Sequence, residues 1–157
     1  MQTLRELSAA LAARPALSDI AEALAAAPPR LRVAPLPSAA RTPLTAALAL
    51  RHRGPLLFVQ PSADAAMRAA DDLRQWLGSE SQVEADSPRV LLFPASDAMP
   101  YEHMSTAPEV IGRRLRVLQA LADQRQPASA DGSSPSALVI VAPLKALLQP
   151  TLTAAEL

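Results

Sequence analysis

Three short apolar runs, Leu56–Val59, Val90–Phe93 and Leu138–Val141, alternate with segments of helical periodicity, and this alternation constrains the fold more than any other feature. Each run has strand length and is almost continuously apolar, the pattern of a strand covered on both faces. Strands and helices in alternation build a parallel α/β sheet with right-handed crossovers. A further strand is expected near 31–33, which gives a small parallel sheet of three to four strands flanked by helices.

The helices are marked by their ends. Residues 3–13 and 18–27 read as two Ala/Leu helices, with Ser18 capping the second. Thr42-Pro43 has the form of a cap followed by proline at the first helical position, opening a helix that reaches about His52. Ser62 caps a helix that carries Ala66, Ala69, Ala70, Leu73 and Leu77 on one face and stops at Gly78. Thr106 and Glu109 are spaced as a capping box, after which Ile111, Leu115, Leu118 and Ala122 share a face. Arg113 and Arg116 point away from that face and Arg114 sits at its margin. Residues 127–136, PASADGSSPS, form a low-complexity linker. Pro143 opens a last helix through Gln149. The chain divides into an N-terminal helical segment, 1–30, an α/β domain, 31–150, and residues 151–157 as the truncated start of a following domain.

Composition narrows the function. Fifteen basic residues offset fifteen acidic ones, which argues against a dedicated nucleic-acid grip with its basic surplus. Cysteine is absent, so disulfides, thiolate metal sites and cysteine nucleophiles are excluded, in keeping with a cytoplasmic location. No apolar run approaches the ~20 residues that span a bilayer. Half the residues are apolar but only 3% are aromatic. Helices therefore form readily on alanine propensity and bury modest area per residue.

The alternation of strands and helices is also the architecture of nucleotide-binding motors. A phosphate loop needs glycines, so that backbone amides turn inward, and a Lys with a Thr or Ser. The stretch in the corresponding place, Ser38-Ala39-Ala40-Arg41-Thr42, has no glycine; Arg41 and Thr42 stand where Lys and Thr belong. It is either a weakened phosphate site at a helix N-terminus or a turn that has kept its shape and lost nucleotide binding. The alanine Cβ atoms obstruct close approach of the backbone, which favours the second. No acidic pair ends any strand, so Mg²⁺ lacks an anchor and ATP hydrolysis is not expected.

Other candidates are weaker. His52 and His103 lack the further ligands of a metal site. Asp97, Glu102 and His103 come with no nucleophile motif. Tyr101 is either a stacking platform or partner contact, or the pin that holds the 94–105 loop against the helix. Arg113, Arg114, Arg116 and Arg125 either touch phosphates or an acidic partner, or form a solvated helix face.

The wording of Leu92, Pro94, Pro100, Tyr101, Glu102, Arg114, Leu115 and Leu118, followed by Val141, Pro143, Leu147 and Gln149, resembles the N-terminal part of bacterial transcription-repair coupling factors. The resemblance is strong from Val90 onward, moderate over 36–77 and poor across the first thirty residues. It implies a UvrB-like, RecA-like α/β domain with a degenerate, inactive phosphate loop at Ser38–Thr42. It also implies that Pro100, Tyr101, Glu102, Arg113, Arg114 and Arg116 belong to a family signature or a partner surface. Members of that family are ATP-driven DNA translocases that displace stalled RNA polymerase and recruit UvrA for nucleotide-excision repair of DNA damage. The resemblance thus implies a non-catalytic fragment with no cofactor of its own, ATP and Mg²⁺ belonging to the parent motor outside this chain. Its partners would be other domains of the parent, UvrA through a domain that follows, and RNA polymerase and DNA through the parent. Two other readings remain: an active ATPase domain using Arg41 and Thr42, and a small DNA-binding module using the arginine-bearing helix.

Overall fold

A computed structural model describes residues 3–26, 30–33, 35–52, 54–78, 89–96, 107–125 and 137–152, the side chains of Ala25 and Arg125 excepted. Among the described residues six helices and three strands follow in the order α1 (Leu4–Ala12), α2 (Pro15–Ala25), α3 (Ser38–Ala49), β1 (Leu56–Gln60), α4 (Ala63–Leu77), β2 (Arg89–Leu92), α5 (Pro108–Arg125), β3 (Leu138–Pro143) and α6 (Leu144–Leu147).

The three apolar runs are the three strands, all parallel, in the order β1-β3-β2. Residues 31–33 form no strand, so the fourth strand expected there is absent from the described sheet. Leu31 and Val33 are both exposed, and an apolar face that stays uncovered contributes little to hold a segment in a ladder. β3 is central and every one of its residues is buried. Alternation divides its side chains between two cores. Val139 and Val141 pack with Val90, Leu56 and Phe58 against Ala66, Ala69, Ala70 and Leu73 of α4. Leu138, Ile140 and Ala142 pack with Leu91 and Phe93 against Val117 and Ala120 of α5 and Ala146 of α6. The β1-to-β2 crossover through α4 and the β2-to-β3 crossover through α5 run in opposite directions on opposite faces, so they share one hand, as parallel crossovers require.

α4 is the best specified helix. The Ser62 hydroxyl accepts from the Ala65 amide at 3.2 Å, Asp64 lies in the first turn and Arg74 in the last. Gly78 ends the helix at φ 68°, a left-handed conformation open to glycine without strain. Its buried residues are the five expected from the sequence.

Several helix boundaries differ from expectation. α2 begins at Pro15, with Arg14 rather than Ser18 at the cap, because proline at the first position needs no amide partner. α1 carries a capping box that pattern reading passed over: Glu6 N–H donates to Thr3 Oγ1 at 3.3 Å and Thr3 N–H to Glu6 Oε2 at 3.0 Å. The N-terminal helices do not stand apart. Ser8, fully buried, donates to the Trp76 carbonyl at 2.7 Å, and Arg51 donates to the Ala12 carbonyl at 2.6 Å, tying α1 to α4 and α3.

β1 also departs from its sequence reading. Leu56 and Phe58 are covered by the α4 layer, but Leu57 and Val59, on the other face, are 53% and 43% exposed. An apolar parallel strand with one bare face is unusual, since such sheets are normally covered on both sides.

Candidate functional site

Ser38–Thr42 is not a turn leading into a helix. It is the start of α3, which opens after Pro37 and runs through Pro43. Ala39 and Ala40 favour helix, and a proline in the second turn removes only one bond, from its own position to the Ala39 carbonyl. The Thr45 hydroxyl donates to the Arg41 carbonyl at 2.9 Å inside the same helix. Ser38, Ala39 and Arg41 are exposed, with Ala40 and Thr42 partly covered. The segment therefore presents helical backbone rather than a loop of inward-turned amides.

Pro100, Tyr101 and Glu102 lie outside the described residues, as do Asp97, His103 and Thr106 of the expected capping box. His52 is exposed. Among the described residues no group of three His, Cys, Asp or Glu side chains is placed to hold a metal ion.

α5 is where the structure concentrates the candidate residues, though not in the expected orientation. Its buried positions are Val117 and Ala120, with Val110, Arg114, Leu118 and Leu121 half-covered, whereas Ile111 and Leu115 are exposed. The helix is turned by about one residue, or 100°, from the face read in the sequence. Arg114 thereby leaves the margin and enters the sheet side.

There it joins the carboxyl ends of β2 and β3, the location where open α/β sheets usually place their sites. The Arg114 guanidinium donates to the Pro94 carbonyl at 3.0 Å, the Pro150 carbonyl at 3.0 Å and Gln149 Oε1 at 3.4 Å. Its Cζ lies 4.3 Å from the centroid of the Phe93 ring, within range of a cation–π attraction. Gln149 pairs with both main-chain groups of Ser96: Oε1 accepts from N–H and Nε2 donates to the carbonyl, each at 2.7 Å. The carboxamide thus acts on Ser96 as a neighbouring strand would. Burial lowers the pKa of Arg114 from its ordinary value, yet a guanidinium starts so high that it stays charged.

This cluster is a clamp. Three oxygens and a ring occupy the guanidinium, and Ser96 occupies the Gln149 amide. It fastens the exit of β2 to the chain following α6. The role of Gln149 and the inward turn of Arg114 were not read from sequence. The available signal was an arginine inside the 110, 114, 117, 121 stripe, otherwise apolar. Ser96 gave no signal. Pro94, Arg114 and Gln149, all quoted for the resemblance, meet here.

Arg113 and Arg116 lie on the other flank of α5, exposed and beside the outer edge of β2. The side chain of Arg125 lies outside the described residues. Among the described residues no helix is long and apolar enough to cross a membrane. No family model matches the chain, and no curated protein matches it at a significant level.

Proposed function

We propose that the chain is a non-catalytic, UvrB-like module of a transcription-repair coupling factor, a scaffold that packs against other domains of its parent. The parent would be the ATP-dependent translocase that displaces stalled RNA polymerase and recruits UvrA; RNA polymerase, DNA and UvrA are contacted by other parts of it. In this reading ATP and Mg²⁺ belong to the parent motor, and the region Ser38–Thr42 is the remnant of a phosphate loop. Its helical backbone supports that view, because a phosphate loop wraps a triphosphate with a glycine-rich turn ahead of its helix, whereas here the helix begins at Ser38 itself.

The observation that carries the reading is the bare apolar face of β1. Leu57 and Val59 on β1 are exposed there, and Leu144 and Leu148 beyond β3 are 52% and 78% exposed. Such a surface marks a neighbour. The test is a Leu57→Lys, Val59→Lys variant of the chain. The variant keeps its melting temperature and binds less of a hydrophobic dye, and calorimetry with Mg·ATP gives no heat for either protein. An unfolded variant sinks the scaffold reading. So does micromolar, Mg²⁺-dependent ATP binding that Thr42→Ala abolishes, which instead makes the chain an active nucleotide-binding domain.

A further inference from the structure

The opposite edge of the sheet carries a different surface. Among the described residues β2 is an edge strand, and its outer side is the floor of a cleft of about 350 Å³ between α4 and α5. Toward β3, the Arg89 amide donates to the Ala137 carbonyl at 2.9 Å and the Phe93 amide to the Val141 carbonyl at 2.8 Å. Alternation along a parallel strand then turns the N–H and C=O groups of Val90 and Leu92 the other way, into the cleft. Neither residue has a main-chain partner on that side among the described residues. An edge with open main-chain donors and acceptors is a template for another strand.

The two walls differ in charge. On the α4 side, Met67 and Ala70 are apolar, and Arg74 is neutralised by Asp71 at 2.6 Å. On the α5 side, Arg113 and Arg116 stand above Val117. Among the described residues neither arginine has a hydrogen-bond or ion-pair partner. One wall is therefore apolar and electrically balanced, and the other holds two unpaired positive charges.

We propose that this edge receives an extended acidic peptide as a fourth strand. Successive side chains of a strand point to opposite faces, so one set meets α4 and the alternate set meets α5. The matching occupant has apolar residues at one set of positions and Asp or Glu at the other. Carboxylates two residues apart on a strand are separated by about 6.7 Å, while Arg113 and Arg116 are about 4.5 Å apart along the helix axis, a mismatch that long arginine side chains absorb. A polynucleotide fits less well. It has no alternating amides and carbonyls to offer the floor, and two arginines are few for a phosphate backbone. The proposal stands apart from the scaffold reading, which concerns β1 at the opposite edge of the sheet.

The test uses the full chain and a fluorescein-labelled peptide of alternating Glu and Val, followed by anisotropy, with amide exchange read at Val90 and Leu92. Saturable binding is expected, with slowed exchange at those two amides. Arg113→Glu with Arg116→Glu weakens binding by about tenfold or more, consistent with two lost and two repelled charges at a partly open site. Because both side chains are exposed, circular dichroism of this variant is unchanged. The same peptide with N-methylated valines, which cannot pair with the edge, no longer binds, and this control needs no variant to fold. No saturation by about 1 mM peptide, the weak limit of a specific contact, overturns the proposal. Binding indifferent to N-methylation also overturns it. So does binding of a single-stranded oligothymidylate through the same arginines with the peptide inert, which assigns the face to nucleic acid.

Discussion

Replacing Arg114 with alanine removes the centre of the clamp, and the geometry sets the size of the effect. The guanidinium makes two bonds at 3.0 Å, to the carbonyls of Pro94 and Pro150, and lies over Phe93 at 4.3 Å. Bonds to a charged donor contribute about 1.5–3 kcal/mol when buried, and solvent screening at this half-covered position brings each nearer to about 1 kcal/mol. The ring contact adds about 0.5–1 kcal/mol. The sum is about 2–3 kcal/mol, which for a chain of this size lowers the melting temperature by about 5–10 °C. Arg114→Lys keeps the charge and loses the planar fork, so it recovers less than half of the difference. Desolvation holds the Arg114 pKa below its ordinary value. A cation with a lowered folded pKa makes stability rise only where that group itself titrates. For a guanidinium this lies well above working pH, so the effect is flat between about pH 5 and 9. Thermal and urea melts followed by circular dichroism measure it. A drop below about 1 °C for Arg114→Ala, or a lysine variant as stable as the parent, would refute the clamp, given the 2–4 °C expected per kcal/mol.

Two further substitutions probe the way α1 and α4 are joined. Ser8→Ala leaves the partly buried Trp76 carbonyl without its 2.7 Å donor and costs about 1–2 kcal/mol in urea unfolding; a neutral result would mean that water replaces the hydroxyl. Gly78→Ala forces a side chain onto φ 68° and places its Cβ 3.0 Å from Arg5 Cδ, for a loss of about 1 kcal/mol. Repeating it in an Arg5→Ala background relieves the contact but not the backbone, so most of the loss persists; full rescue would assign the penalty to the contact instead.

The parts of the fold that were legible in sequence are those where local signals and tertiary packing agree. The three strands were found to within about two residues at each end, because a run such as Leu138–Val141 has no hydrophilic face to offer any other structure. α4 was legible in phase and at both ends, since Ser62, Gly78 and the Ala66–Leu77 stripe point the same way. Where a single local rule was asked to decide, it failed. Proline after threonine looked like a helix start at Thr42, yet the Ala39-Ala40 pair extends α3 back to Ser38 across that proline. Leu31–Val33 looked like a strand on composition alone, and both of its apolar side chains stay exposed. The bare side of β1 was invisible, because an apolar run states that a face needs cover and not whether this chain supplies it.

The rotation of α5 is the instructive failure, and its cause is energetic. Counting apolar residues puts Ile111 and Leu115 inward, and burying each would contribute about 1.5–3 kcal/mol. The fold instead leaves both exposed and turns Arg114 in. The chain leaving β2 and the chain after α6 bring the carbonyls of Pro94 and Pro150 to the end of the sheet. The Pro94 carbonyl is partly buried and the Pro150 carbonyl exposed, so a charged donor contributes about 1 kcal/mol at each, and loss of the donor costs most at Pro94. Arginine, with its fork of five donors, reaches both and still caps the Phe93 ring. The apolar count omits these carbonyls because they belong to loops distant in sequence. The same rotation that satisfies them sets Arg113 and Arg116 beside the β2 edge and leaves Ile111 and Leu115 in solvent. The cationic cleft and the exposed apolar stripe are therefore linked: a rotation of α5 that buried Ile111 and Leu115 would also carry Arg113 and Arg116 away from the β2 edge.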